Sequence, residues 1–354
     1  MKEIRWLTYE EMLECDDYIK AGIKLNNILK YASNNISFYK GLRLSKQEKL
    51  SILDFPIIEK QTLRDNYEEL KGENLTGSVF EVKTTGSTGK PIKTMWTNKE
   101  YNISTMEVWN ARKQFGADIR DAVIYFLGLP DGHNTDEYKI IKKGNTYEIT
   151  RVFTSKAVNA YLDLIDSLKG VILYGSPSSL YRFAKAIKKF GLVPPSKVKC
   201  IELNGEMLSD EELLVIKDVF AIPILNNYGC REMWPIALTC RHGTMHVRND
   251  VVWLETTESK EILVTSLIKK AQPLVRYMVG DLGEISYGKC PCGLHSQIIT
   301  KLIGRKNDYI YINGTKRVHW AVLTRPITDY VLENGNVIDE YFIHQKADMS
   351  IDIN

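Results

Sequence analysis

The residues best suited to chemistry stand in 81-EVKTTGSTGKPIKTMWTNKEY-101, where Thr84, Thr85, Gly86, Ser87, Thr88, Gly89 and Lys90 follow one another without a break. Successive hydroxyls and backbone N–H groups, glycines that tolerate positive φ, and one mobile cation can wrap the terminal phosphates of a nucleotide. A Walker loop is disfavoured: only Ser87 and Thr88 separate Gly86 from Gly89, and Pro91 stands where a Ser or Thr would hold magnesium. No GxGxxG dinucleotide fingerprint is present. Taken alone, the stretch reads equally well as a Gly/Ser/Thr hairpin turn with an exposed lysine.

A second reactive group is formed by cysteines. The chain has Cys15, Cys200, Cys230, Cys240, Cys290 and Cys292, and in a reducing compartment clustered cysteines point to metal or catalysis before disulfides. Cys290-Pro-Cys292 reads as a hairpin turn, and 240-CRHGTMH-246 as the start of the preceding hairpin segment. Together they offer the four N/S ligands of a tetrahedral zinc site, Cys240, His246, Cys290 and Cys292, with His242 or His295 as substitutes. A closed set of four leaves no open position, so such a zinc would be structural and staple two hairpins. The bland alternative is that these thiols are small buried residues, which cysteines beside Pro, Lys and Gly in turns fit poorly.

These groups must be held by a chain of 354 residues with 44% hydrophobic and 26% charged residues, which suits one large domain and a smaller one. A formal charge of +3 with no arginine-rich stripe makes nucleic acid an unlikely partner. The N-terminus lacks the apolar core of a signal peptide, and no uncharged apolar run approaches a bilayer span. The expectation is a cytoplasmic protein.

The first 75 residues read as helices, including 45-SKQEKLSILDF-55 and 59-EKQTLRDNYEEL-70. Strand patterns at 122–129, 170–176, 198–205 and 221–229 then alternate with helical patterns at 178–191 and 209–220, the rhythm of a parallel α/β sheet. Several strands end in small or polar residues, Gly175-Ser176, Asn204-Gly205-Glu206 and Asn227-Tyr228-Gly229, and the carboxyl ends of parallel strands are where ligands bind. After residue 240, short alternating runs at 251–255, 261–267, 283–287 and 308–314 predict antiparallel hairpins. The rest of the tail reads as one helix-like segment and two strands. The predicted fold class is α/β: residues 1–306 form a large domain with mixed and parallel sheets plus a short antiparallel region, and 307–354 a reduced α+β domain.

In order along the chain stand TTGSTGKP, 203-LNGE-206, 226-NNYGCRE-232, 275-VRYMVGDLG-283 and 304-GRKNDYIYING-314. In these motifs the sequence resembles the adenylate-forming enzymes of the acyl- and aryl-CoA ligase superfamily. It is most similar to the phenylacetate-CoA ligase-like branch that includes enzymes of capsular polysaccharide synthesis. The resemblance runs from about Phe38, through 55-FPIIEKQTLRDNY-67, to the end of the chain. Each motif alone is weak to moderate; five in order are strong.

The resemblance implies an ATP-dependent ligase that forms an acyl-AMP from a small aryl or acyl carboxylic acid. The acyl group then passes to CoA, a carrier-protein thiol or an amine. It implies that Thr84 to Lys90 grip the pyrophosphate, with Lys90 catalytic. Asn204, Gly205, Glu206, Asn227 and Gly229 are implied to line adenine, and Tyr228 to stack on it. Glu232 would hold Mg²⁺, a hard cation suited to carboxylate and phosphate oxygens. Arg231 departs from the small hydroxyl residue usual at its position, and would pair with the α-phosphate. Asp281 would accept from the ribose hydroxyls and Arg305 would lie near ribose and phosphate. Asn307 would be the hinge of a small domain that swings between two poses. Phe126, His133 and Gly175, at strand ends, are candidates for the acid pocket. Relatives are often dimeric, and some of the branch carry zinc at positions matching the Cys/His set.

Such relatives close with a domain of roughly a hundred residues bearing a late lysine, and here only 308–354 follow Asn307 with no lysine at that place. This leaves two rivals beside the ligase: a degenerate nucleotide-binding scaffold, and an acyl-protein synthetase-like subunit acting with a partner.

Overall fold

The computed structural model describes residues 4–42, 50–73, 75–83, 91–127, 137–305, 309–312, 316–319, 327, 330, 343–346 and 348–353. It opens with a short strand β1 (Arg5–Trp6) and helices α1 (Tyr9–Leu13), α2 (Asp16–Asn35), α3 (Ser37–Lys40) and α4 (Lys60–Asp65). Ala21, Ile28, Leu29 and Ala32 are spaced to share one face of α2, and that face is buried. Of the expected helix over 45–55, residues 45–49 lie outside the described residues and the remainder is a single 3-10 turn, Ile52–Asp54. Ser51 and Asp54 cap that turn reciprocally, and Pro56 follows at once, so no longer helix can start there. The helix expected over 59–70 is likewise shorter, closing at Asp65.

The hairpin β2 (Val79–Lys83) and β3 (Lys93–Thr97) comes next, with Lys83 registered opposite Lys93. It brackets Thr84–Lys90, which lie outside the described residues, so the ladder fixes where that loop leaves and returns. Thr97 then caps α5 (Asn98–Lys113) in a reciprocal box with Glu100.

The alternating region follows the predicted rhythm at β4, β7, β8 and β9, while β5 and β6 are strands that the sequence reading did not include. It comprises β4 (Ala122–Leu127), β5 (Ile140–Lys143), β6 (Thr146–Thr150), α6 (Ser155–Ser167), β7 (Val171–Gly175), α7 (Pro177–Lys189), β8 (Val198–Asn204), α8 (Asp210–Phe220) and β9 (Ile224–Tyr228). In the sheet β6, β4, β7, β8 and β9 lie side by side and parallel. Helix starts are set by side chains that satisfy free N–H groups: Ser176 before Pro177 for α7, and Ser209 with Glu212 for α8.

The antiparallel strands are β10 (Ala237–Thr239), β11 (Met245–Val247), β12 (Val252–Thr256), β13 (Glu261–Ser266), β14 (Tyr277–Lys289) and β15 (His295–Arg305). They do not form a separate sheet. β10 pairs with β9 through Ala237 opposite Tyr228, and the order runs β12-β13-β14-β15-β11-β10-β9-β8-β7-β4-β6-β5. Two cores flank this sheet. α2 and the antiparallel strands meet around Phe55, Ile58, Val264 and Tyr277, while α6, α7 and α8 cover the parallel strands around Ile124, Leu173, Phe183 and Ile201.

Beyond residue 305 the described residues include two hairpins, β16 (Tyr309–Ile312) with β17 (Lys316–His319) and β18 (Ile343–Gln345) with β19 (Ile351–Ile353). Ile327 and Tyr330 are helical as well, so the difference from the expectation of one helix and two strands lies in the number of strands. Runs such as 316-KRVH-319 are too short and polar to show the period-2 alternation that marks a strand.

Candidate functional site

The β2–β3 hairpin is tied at its base to the turn that follows β9. Arg231 Nη1 donates at 2.6 Å to the carbonyl of Lys83, the last described residue before Thr84. Trp96 Nε1 on β3 donates back to the Arg231 carbonyl at 3.2 Å. Lys269 Nζ spans the remaining gap, bonding Thr94 Oγ1 on β3 and the Glu232 carbonyl, the latter at 3.0 Å. These bonds bring Lys83, at the end of β2, beside Arg231, and Thr94 on β3, through Lys269, beside Glu232.

The Glu232 carboxylate sits in that same place, 3% exposed, with Oε1 accepting from the Tyr277 hydroxyl at 2.8 Å. Burial and then the Glu232 charge raise the Tyr277 pKa, keeping the hydroxyl a donor. On the other side of β9's end, Tyr228 donates to Asp281 Oδ2 at 2.7 Å, and Arg305 Nε lies 3.6 Å from Asp281 Oδ1. The Asp281 strand, β14, is registered so that Asp281 faces Arg305 on β15. Arg231, Glu232, Asp281 and Arg305, drawn from three separate motifs, thus gather around one strand end.

The strand beside it is anchored from within. Glu202 on β8 is fully buried, with Arg112 Nε at 2.6 Å and Asn227 Nδ2 at 2.7 Å. Asn227 is 2% exposed and gives its Nδ2 to this inner contact, so it sets the position of β9 and does not present a polar group outward. Asn204 donates to the Tyr174 hydroxyl, and Glu206 accepts from Ser178 N at 3.2 Å, placing both at the carboxyl ends of β7 and β8. Phe126 and Gly175 are in mutual contact there: a Cβ on Gly175 would stand 3.0 Å from Phe126 Cβ and 2.7 Å from Leu180 Cδ2, so only glycine lets β7 pass. His133 and Asn307 lie outside the described residues.

Sequence reasoning missed Lys269. A Lys-Lys pair after a strand pattern reads as a solvated face, yet Lys269 is 0% exposed and its ammonium lies 4.3 Å from the centre of the Trp96 ring. Its neighbours extend the same seam: Glu100 Oε1 accepts from the Lys270 and Ala271 N–H groups, and Gln272 Oε1 from Thr94 Oγ1 and Met95 N. Burial, opposed by the Glu232 and Glu100 charges, lowers the Lys269 pKa from 10.5 to about 7. The folded protein therefore binds fewer protons at this group than the unfolded chain between about pH 7 and 10.5, and stability there rises with pH. In paired thermal melts the wild type is expected to gain on Lys269→Met as pH goes from about 7 to about 9.5; a constant gap would contradict the assignment.

The Cys/His candidates converge as well. The ligand atoms of Cys240, His246, Cys290 and Cys292 all lie within 4.8 Å of one another. Zinc bonds of about 2.3 Å to sulfur and 2.0 Å to nitrogen imply tetrahedron edges of roughly 3.5–3.8 Å. The Cys240–Cys290 Sγ separation is 3.9 Å and Cys292 Sγ to His246 Nε2 is 3.4 Å. Both knuckles are turns of the same kind, with Gly243 N donating to the Cys240 carbonyl and Gly293 N to that of Cys290. Those glycines sit at φ 79° and 92°, a region costly for other residues, which explains their place three positions after each cysteine. His246 is 0% exposed, its Nδ1 is 2.8 Å from Ser296 Oγ, and burial followed by the Arg248 charge lowers its pKa to about 4. A neutral ring, oriented from behind, with Nε2 toward the thiols is the donor arrangement of a structural metal ligand. His295 instead faces Asp17 at 3.8 Å.

No protein-family profile matches the chain. It is similar to the phenylacetate-coenzyme A ligase of Pseudomonas putida, 26% identical over 352 residues, spanning 92% of this chain and 77% of that protein. It is also similar to Protein CapK of Staphylococcus aureus, at 22% identity over 96% of this chain and 79% of that one. In fold it is similar to 2-hydroxyisobutyryl-CoA ligase, solved in the postadenylation state with an acyl-AMP: TM-score 0.68, 15% identity, 96% of this chain and 76% of that one. Acid–CoA ligases thus stand among both its sequence relatives and its structural neighbours.

Proposed function

We propose that this chain, with phenylacetate-CoA ligases as sequence relatives, is an AMP-forming acid ligase whose reaction is assembled at the carboxyl end of β9. The observation that carries this reading is the convergence at that end: Arg231 holds the Lys83 carbonyl at the end of β2, the Glu232 carboxylate is buried against Tyr277, and Tyr228, Asp281 and Arg305 form a connected set.

In the first step a carboxylate oxygen of the acid attacks the α-phosphorus of ATP. The bond from that phosphorus to the bridging oxygen breaks, pyrophosphate leaves with the electron pair, and acyl-AMP remains. Two anions must meet, so positioning and positive charge do most of the work. Thr84, Thr85, Ser87 and Thr88, with the glycine amides and Lys90, would hold the departing pyrophosphate. Gly205, Glu206 and Gly229 border the adenine and Tyr228 stacks on it. Asp281 receives the ribose hydroxyls, with Arg305 adjacent, and Arg231 faces the α-phosphate from the loop's base. Asn204, expected to line adenine, is bonded to Tyr174 and also lines a cavity at the ends of β7 and β8, where Phe126 and Gly175 border the acid. Glu232, a buried carboxylate whose Oε1 accepts from a neutral hydroxyl, suits a magnesium ion, which would neutralise phosphate charge. In the second step the acceptor, CoA by likeness to the relatives, attacks the acyl carbon and AMP leaves. Asn307 marks the hinge for that change of pose. The Cys240, His246, Cys290 and Cys292 set would hold zinc as a staple between the β10–β11 and β14–β15 turns, away from the reacting atoms.

Pyrophosphate release with hydroxylamine trapping, across aryl and short acyl acids, tests the reading. Lys90→Ala is expected to cost about 10²-fold in that assay. ATP binding without release for any acid would favour a nucleotide-binding scaffold, and release that occurs only with added cell fractions a partner-dependent subunit.

A further inference from the structure

A cavity of about 180 Å³ opens at the carboxyl ends of β4, β6, β7 and β8, with Tyr125, Arg151, Ser176, Asn204 and Glu206 in its lining. It lies on the far side of β8 from β9, as the sheet order requires. Its body is suited to a flat acid: Tyr125 stacks on Tyr174 at 4.9 Å and 28°, and Tyr174 is held by Asn204. Its cation is unusual. Arg151 follows β6 directly and reaches the cavity, and behind it on α7 stands Arg182, whose guanidinium lies 5.4 Å from the centre of the Phe153 ring. Arg182 Nε is buried with no hydrogen-bond partner, and neither arginine has an ion pair among the described residues. Burial and then the Arg151 charge lower the Arg182 pKa. The Glu206 carboxylate, also in the lining, accepts from the N–H of Ser178 in the first turn of α7.

A guanidinium in the cavity wall, backed by a second one whose Nε is buried and unfilled, forms a receptor for an oxyanion. That anion is not the carboxyl that becomes activated. Activation belongs beside Tyr228 at the end of β9, and Arg151 stands four strands away, roughly 19 Å at about 4.8 Å per strand before the arginine side chain reaches back. We propose that the acid taken by this cavity carries a second oxyanion, remote from its reacting carboxyl, and that Arg151 binds it with Arg182 as a positioning residue behind. This rests on the adenylating reading above and names the substrate class of that same site.

The test pairs dicarboxylic acids, aryl and short-chain, with their monomethyl esters, and adds a phosphate-bearing aryl acid. In pyrophosphate release at saturating ATP and magnesium, at least one dicarboxylate is expected to exceed its monoester by about 10-fold or more in kcat/KM. Arg151→Met should remove that preference while leaving the monoester rate within about 2-fold, and Arg151→Lys should restore part of it. Preference for the phosphate acid over both would place the same chemistry on a phosphate. Equal rates for acid and ester, or an Arg151→Met loss common to both, would overturn the proposal and leave adenylation standing. Should no acid release pyrophosphate, the adenylating reading fails separately. Calorimetry of the dicarboxylate against its ester, with wild type and Arg151→Met, then decides the anion site: binding that needs both the charge and Arg151 supports it, and its absence refutes it.

Discussion

Glu232→Gln is expected to lower acid-dependent pyrophosphate release by about 10²–10³-fold, on the order of the loss that follows removal of one preorganised charge partner from a reacting site. The substitution keeps the shape of the side chain and an oxygen for the Tyr277 hydroxyl, now 2.8 Å from Oε1, but removes the negative charge. If Glu232 holds magnesium, the loss should register as a steep rise in the magnesium concentration needed for half-maximal rate, with ATP binding measured by calorimetry changed far less. The side chain is 3% exposed and Lys269 is close, so the variant's melting temperature must be recorded alongside. A Glu232→Gln protein of wild-type rate and magnesium dependence would show that the carboxylate only orders Tyr277 and Lys269.

The second large effect concerns stability. Cys290→Ser and Cys292→Ser are each expected to abolish binding of one zinc equivalent and to lower the melting midpoint by on the order of 10 °C, since a structural metal contributes its binding free energy to folding. The cluster lies where two hairpin turns meet, and among the described strands those hairpins are paired only through β11 and β15, by His246 opposite Ile298. A staple there holds β10 and β11 in place, and β10 is the neighbour of β9, on which the candidate site stands. Elemental analysis of protein purified without chelator, with calorimetric melts of the wild type and both variants, checks this. Metal-free protein whose midpoint does not move on substitution would return the four side chains to the role of buried thiols and a buried imidazole.

Local signals were sufficient for much of this. The hydroxyl, glycine and lysine run at 84–90 offers by composition the groups that an anion-handling loop needs, and 79-VFEVK-83 and 93-KTMWT-97 on either side of it pair as a ladder. The βα rhythm from Ala122 to Tyr228 specifies a parallel sheet because each strand and helix shows its period within its own residues. The Cys and His spacing names four ligands because a turn brings partners within a few positions of each other, and the structure gathers those four.

Long-range pairing decided the rest. That β10 closes on β9, making one sheet of what sequence presents as two textures, depends on backbone hydrogen bonds between segments that carry no mark of their partner. That Arg231 bonds the Lys83 carbonyl, 148 positions away, turns a departure from the expected hydroxyl residue into a tether for the loop. Lys269 and Arg182 show the same limit. A charged side chain is read as solvated from its sequence neighbours, and only packing reveals one lysine enclosed against Trp96 and Thr94 and one arginine with a buried, unfilled donor. The sequence by itself determined the element types and the chemistry available at strand ends, because both follow from the conformational preferences and functional groups of adjacent residues. The tertiary structure alone decided which of those groups share a site and which charges are stripped of water, because burial and contact arise from segments far apart along the chain.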